Sequence, residues 1–137
     1  FFMDEATAFA AGHRPCFECR REDAKRFKEC WLKGNPSHQF SMSTSISLID
    51  EVIHHERVDA YKQKVVHHRP LSEIADGTFL MLNSNAYLFL RGNVHRWTPS
   101  GYAERFPVPN ESSLDVLTPN SIVNAFAAGY VPQCSII

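Results

Sequence analysis

The sequence predicts an α+β domain. Three observations predict it. Apolar residues recur at helical spacing in three stretches between residues 4 and 58, short β-forming runs alternate with Gly- and Asn-containing turns between 76 and 97, and a last helical stretch follows, bracketed by Pro119 and Gly129. At 137 residues the chain fits one domain with one core. Hydrophobic residues make up 44% and charged residues 21%, ordinary globular values that exclude wholesale disorder. A formal net charge of -1 argues against a whole-protein electrostatic grip on nucleic acid or on a membrane, and leaves only a local patch. No apolar run approaches the roughly 18–20 residues that a membrane span needs, and no charged-then-apolar signal peptide opens the chain.

The elements follow in order. Residues 4–11 read as a short helix: Asp4 is placed to cap it, Ala6, Ala8, Ala10 and Ala11 are strong formers, Gly12 is the expected left-handed stop and Pro15 forbids resumption. Residues 20–33 read as an amphipathic helix with Ala24, Phe27 and Trp31 on its apolar face and Cys30 beside them, closed by Lys33 and Gly34. The polar, Ser-rich residues 35–44 read as a mobile loop. A third helix spans 45–58, capped by Ser45, with Ile46, Ile49, Val52 and Ile53 as its stripe. Strand signals come next: Lys64–His68 as an edge strand ended by Pro70, then Thr78–Leu82, Ala86–Leu90 and Val94–Trp97, separated by Asn83-Ser84-Asn85 and by a two-residue Gly92-Asn93 turn. This is an antiparallel meander of three or four strands. Residues 99–117 read as turns, with Pro99, Gly101, Pro107 and Pro109. The closing helix has Thr118 as N-cap, Pro119 at its first position, Ile122, Val123 and Phe126 facing inward, and Gly129 as its stop. One echo runs through the chain: Ala8-Phe9-Ala10-Ala11-Gly12 returns as Ala125-Phe126-Ala127-Ala128-Gly129, each followed by a Pro and a Cys, at 16 and 134. Shared stop chemistry explains it; a pseudo-symmetric pair bringing Cys134 near Cys16 is the alternative.

The four cysteines, at 16, 19, 30 and 134, are too few and uneven for a disulfide framework, which points to a reduced, cytoplasmic setting. Cys16-Phe17-Glu18-Cys19 is the one chemically pointed motif. Two cysteines separated by two residues can place both thiolates on one metal, while the turn between them frees backbone amides to bond the sulfurs. Zinc is the usual occupant, tetrahedral and about 2.3 Å from each sulfur. Such a pair supplies two of four ligands. His13 and Cys134 are the further candidates within the chain. Cys30 is set aside: along a helix it would sit about 16 Å from Cys19, and it reads as an apolar-face residue. A redox dithiol at the start of the second helix is another reading, without the βαβ context such sites usually have.

The flanks of the motif carry a resemblance. Phe1-Phe2, Ala6, Ala8 and then Ala11-Gly12-His13-Arg14-Pro15-Cys16-x-x-Cys19-Arg20 resembles the second half of the Ada-type metal-binding domain, over about 20 of the 137 residues. In that family four cysteines bind zinc, and one of the upstream pair accepts a methyl group from DNA phosphate. The resemblance matches Cys16 and Cys19 to the downstream, structural pair and gives the methyl acceptor no counterpart. The chain is also similar, over most of its length, to a bacterial protein family with Leu-Asp-Glu-Ala-Thr-Ala ahead of Ala-Gly-His-Arg-Pro-Cys and a meander ending in Trp-Thr-Pro-x-Gly-Tyr, matched here by residues 4–8 and 97–102. That resemblance implies no activity. Its members are longer at the N-terminus, and the opening Phe1-Phe2-Met3 implies either residues added ahead of Met3 or a longer chain upstream.

Other constellations are weaker. His54-His55 and His67-His68 are adjacent pairs, so neither offers both rings to one ion, whether on a helix or on a strand. There is no Gly-x-Ser-x-Gly, no phosphate-cradling glycine loop and no His-Glu-x-x-His. Residues 12–33 hold seven Lys and Arg against four acids, and Arg14, Arg20, Arg21, Lys25 and Lys28 are the candidate nucleic-acid contacts. The competing reading is a solvated helix face laced by Glu22 and Arg26. Tyr87, Trp97 and Tyr102 can stack on bases or serve as core. Tyr87–Leu90 is apolar on both faces and asks for a second covering layer or a homodimer interface. The leading expectation is a non-enzymatic nucleic-acid-associated or interaction module with Cys16 and Cys19 as structural zinc ligands. The alternatives are a small-ligand or protein-binding dimeric module with a degenerate metal motif, and a metal- or thiol-dependent enzyme.

Overall fold

Asp4 accepts the Thr7 amide at 2.8 Å and so starts helix α1 (Glu5–Ala10). The computed structural model describes residues 3–59 and 63–136, so Phe1 and Phe2 of the motif's flank lie outside the described residues. α1 stops at Gly12, whose φ is +85°; the Gly12 amide bonds Phe9 O and the His13 amide bonds Ala8 O, the paired bonds of a glycine-terminated helix. Helix α2 (Arg21–Gly34) buries Ala24, Phe27 and Trp31, and helix α3 (Ile46–Arg57), capped by Ser45, buries Ile49 and Ile53. The segment between them holds a 3-10 turn at Pro36–His38 and returns the Met42 and Thr44 carbonyls to the Lys28 ammonium.

Among the described residues six strands form one antiparallel sheet: β1 (His67–Arg69), β2 (Phe79–Leu82), β3 (Asn85–Leu90), β4 (Asn93–Thr98), β5 (Gly101–Pro107) and β6 (Leu114–Val116), in the order β1-β6-β2-β3-β4-β5. The expected meander is present as β2 to β5. Its two tight turns, Asn83-Ser84 and Arg91-Gly92, each place two successive residues at positive φ, which matches the twist of the strands they join. The second turn therefore sits one residue earlier than expected, and Asn93 already pairs with Leu90 and Pro107. Residues 99–117 are not merely turns. β5 runs along one edge of the sheet, with its glycine at the first position and its proline at the last, where the ladder tolerates them. β6 inserts between β1 and β2. The edge strand expected at 64–68 begins later, at His67.

Alternation divides the sheet cleanly. One face carries Leu80, Tyr87, Phe89, Val94, Leu114 and Val116 and packs on Val123 of helix α4 (Asn120–Ala127). The other carries Phe79, Leu88, Trp97, Tyr102 and Leu117 and packs on Ala6 and Ala10 of α1, with Cys134 and Ile136 from the last segment. The double-sided apolar character of β3 is thus satisfied within one chain: Tyr87, Leu88 and Phe89 are all buried.

A third cluster joins the helices through Phe9, Phe27, Trp31, Ile49, Ile53, Ile122, Phe126 and Tyr130. Here the two copies of the sequence echo meet. The Phe9 and Phe126 rings lie edge to face with centroids 5.2 Å apart. They do not bring the two cysteines together: Cys134 packs on the sheet, whereas Cys16 is exposed.

Thr118 does not cap α4. Its hydroxyl accepts the Phe79 amide, and the Ser121 amide is taken instead by the Glu56 carboxylate of α3, at 3.1 Å from both oxygens. Among the described residues no helix is long and apolar enough to cross a membrane.

Candidate functional site

The Cys16–Cys19 turn joins α1 to α2, and two arginines clamp it. Arg14 Nε and Nη2 donate to the two carboxylate oxygens of Asp50, on α3, at 2.8 Å each, and Arg14 Nη1 donates to Pro15 O. This is the two-pronged arginine–carboxylate geometry, the strong form of the ion pair. Arg20 Nη2 lies 2.7 Å from both Glu5 of α1 and Asp23 of α2. The Arg20 amide bonds Cys16 O at 2.8 Å and closes the turn. Pro15 is buried beneath it. The turn is therefore held by two arginines of the flanking motif and by carboxylates from three different helices.

Within the turn the two sulfurs are unequal. The Glu18 amide donates to Cys16 Sγ at 3.4 Å. The Cys19 amide, the Glu18 amide and the Cys19 thiol together lower the Cys16 pKa below the ordinary thiol value. The Cys19 pKa is raised, because its thiol hydrogen is bonded to Cys16 and a second charge beside the first is unfavourable. Both residues are exposed. A backbone amide bonded to the first sulfur, with a second thiol three residues on, suits a pair that shares one soft cation. The donors present fit half of a tetrahedral zinc site.

The remaining candidates do not complete it. Among the described residues no three His, Cys, Asp or Glu side chains gather in a group able to hold a metal. His13 is exposed beside the turn and joins no such group. Cys134 is half-buried with its thiol toward Pro132 O, and burial, with Asp4, Asp76 and Glu5 nearby, pushes it up to about 12. Cys30 packs against the helical core, and burial raises it too. The histidine doublets are occupied separately: His67 bonds Glu56 O and His68 pairs with Asp115, while the His54 and His55 rings stand 6.0 Å apart at 64°.

The basic residues divide. Arg14 and Arg20 are committed to the clamp. Lys28 is buried, its ammonium bonded to Met42 O and Thr44 O at 3.0 and 2.6 Å. Arg21 and Lys25 are exposed on α2, one turn apart. Of the stacking candidates, Tyr87 is buried in the sheet and the Tyr102 hydroxyl donates to Asp4.

Two features left no mark in the sequence reading. The first is a polar seam that ties the two ends of the described chain together. Asp4 accepts Tyr102 OH and the Ser135 amide at 2.8 and 2.9 Å, and Glu5 accepts Tyr130 OH and the Gln133 amide at 2.8 and 3.0 Å. Asp4 was legible only as a helix cap. The second is the placing of Arg57 and Lys64 at the rim of one cavity with an apolar floor, beside an antiparallel bridge between Val58 and Lys64. Comparison with protein-family models, with curated proteins and with solved structures finds no match to this chain.

Proposed function

We propose that this chain is a non-enzymatic binding module in which Cys16 and Cys19 form half of a structural zinc site. The observation that carries the reading is the Glu18 amide bonded to Cys16 Sγ while both thiols stay exposed. Backbone bonding favours the thiolate, and exposure leaves it open to a metal. The other two ligands come from outside the described residues, from a second molecule or from further chain. The clamp of Arg14 on Asp50 and of Arg20 on Glu5 and Asp23 supports a structural role, because it transmits the geometry of the turn to three helices.

Arg21 and Lys25, just beyond the turn, are the residues this reading gives to nucleic acid. Two phosphate contacts set a modest expectation: the slope of log K against log salt is about -2, from roughly 0.9 per contact. A slope of zero, or binding unchanged by R21E/K25E, removes the nucleic-acid part of the proposal.

The metal part is tested by cobalt titration of the reduced protein, read by sulfur-to-cobalt charge-transfer absorption and repeated at several protein concentrations. The expected result is absorption that disappears in C16S and C19S, with saturation at one metal per two chains where a second molecule closes the site. No such absorption, with Cys16 and Cys19 alkylated as fast with zinc as without, overturns it.

A further inference from the structure

Arg57 ends α3, and Lys64 lies seven positions further along the sequence. An antiparallel bridge between Val58 and Lys64 and a 2.9 Å bond from the Val65 amide to Arg57 O bring the two cations to one rim. They border a cavity of about 410 Å³ whose floor is the α1-facing side of the sheet: Phe79, Ala86, Trp97 and Leu117. Gly12 admits the arginine; a Cβ there would lie 2.5 Å from Arg57 Cδ. Lys64 Nζ donates to Ala10 O at 3.0 Å, and Arg57 Nη2 lies 3.5 Å from His54 Nδ1.

Among the described residues Arg14, Arg20, Arg26 and Arg96 have carboxylate partners, whereas Arg21, Arg57, Arg69, Arg91 and Arg105 have none; what sets Arg57 apart is that it shares an apolar-floored rim with a second cation. Among the described residues the salt bridges include none to Arg57 or Lys64. Arg57 and Lys64 carry the same sign at one rim, so an anion seated there is attracted by both. Partial burial, with Arg57 alongside, pushes the Lys64 ammonium down to about 8, although the residue as a whole remains exposed.

We infer that this cavity binds a small carboxylate with an aromatic or branched apolar body, the carboxylate between Arg57 and Lys64 and the body against Phe79 and Trp97. The guanidinium fork matches a carboxylate edge and the ammonium adds a point charge. A neutral ligand would leave the cations unpaired, and an inorganic anion would leave the floor bare. The volume lies in the range of small-molecule sites. This inference is independent of the cysteine turn.

The test is calorimetric binding of phenylacetate to the whole chain, with phenylacetamide and inorganic phosphate as comparators and the Trp97 indole N–H resonance as a local reporter. Phenylacetate binds at least about tenfold more tightly than either comparator and shifts the Trp97 signal, and K64M and R57M each weaken it about tenfold. If K64M lowers the unfolding midpoint, K64R, which keeps the charge, retains binding. Equal affinity for the amide or for phosphate overturns the inference. So do unaffected variants, loss of binding in K64R, or no binding of phenylacetate at about 10 mM.

Discussion

Replacing Gly34 by alanine sets two effects of opposite sign against each other, and the structure decides between them. Gly34 is the last residue of α2, and helix propensity alone favours alanine by at most about 1 kcal/mol. Its Cβ, however, would lie 2.3 Å from Asn124 O and 2.6 Å from Asn124 C, backbone atoms of α4 that no rotamer change can move. Relief requires α2 and α4 to separate by roughly 1 Å, since carbon–carbon contacts are optimal only near 3.5–4.0 Å. The buried side chain of Asn35 spans that crossing: its amide donates to Trp31 O and Ser121 O at 2.8 and 3.0 Å, and its oxygen accepts from Asn124 at 2.9 Å. Overpacking costs about 1–3 kcal/mol and a strained buried hydrogen bond about 1–3 more. The net expectation for G34A is a loss of about 3 kcal/mol, a fall in melting temperature of roughly 10 °C. Urea unfolding followed by far-UV circular dichroism measures it, with an unchanged m-value showing that the loss belongs to the folded state. A G34A midpoint at or above wild type would refute the argument, because propensity would then outweigh the close crossing.

Three further expectations follow from the same geometry. Under limiting iodoacetamide near pH 7, Cys16 is alkylated first and Cys134 last, read by peptide mass spectrometry; equal labelling of the two in folded protein would contradict the assigned environments. Burial, with Arg105 alongside, lowers the His95 pKa, so the fold favours its neutral form. Its contribution is therefore complete above the ordinary imidazole value near 6.5, declines as pH falls through it by up to about 1.4 kcal/mol per pH unit, and levels off below the lowered folded value. H95Q lacks this acid window, and identical pH slopes of stability for the two proteins would dismiss it. Truncating Glu56 to alanine uncaps α4 and costs about 1–2 kcal/mol in the same urea assay, and a neutral E56A would mean that water caps the helix as well.

Local chemistry was readable, and long-range chemistry was not. Asp4, Gly12 and Ser45 bound their helices for reasons contained within a few residues, and the sequence reading placed all three correctly. Gly34 read as a helix stop, yet its lack of a side chain serves the crossing with α4. Thr118 and Pro119 read as a self-sufficient helix start, whereas the Ser121 amide finds its acceptor on Glu56, 65 positions away. β5 was hidden because Gly101 and Pro107 signal turns and are also what an edge strand tolerates at its two ends. β6 has three residues, too few for alternation to register, and exists because β1 and β2 flank it. The cysteine pair was legible from spacing. The clamp around it was not, since Asp50 and Glu5 carry no signal of their partners.

The seam that joins Asp4 and Glu5 to Tyr102, Tyr130, Gln133 and Ser135 also sets a schedule. A six-residue helix does not persist alone in water, so α1 waits for those partners. On a ribosome adding about 5–20 residues each second, on the order of ten seconds separate the emergence of Cys16 from that of Ser135. Through that interval Arg20 lacks a settled Glu5 to grip, and the thiols ride on an unfinished support. The turn emerges well before the last partners of the seam that supports it, so its encounter with oxidants, and with any metal, begins before the scaffold that governs its geometry is in place.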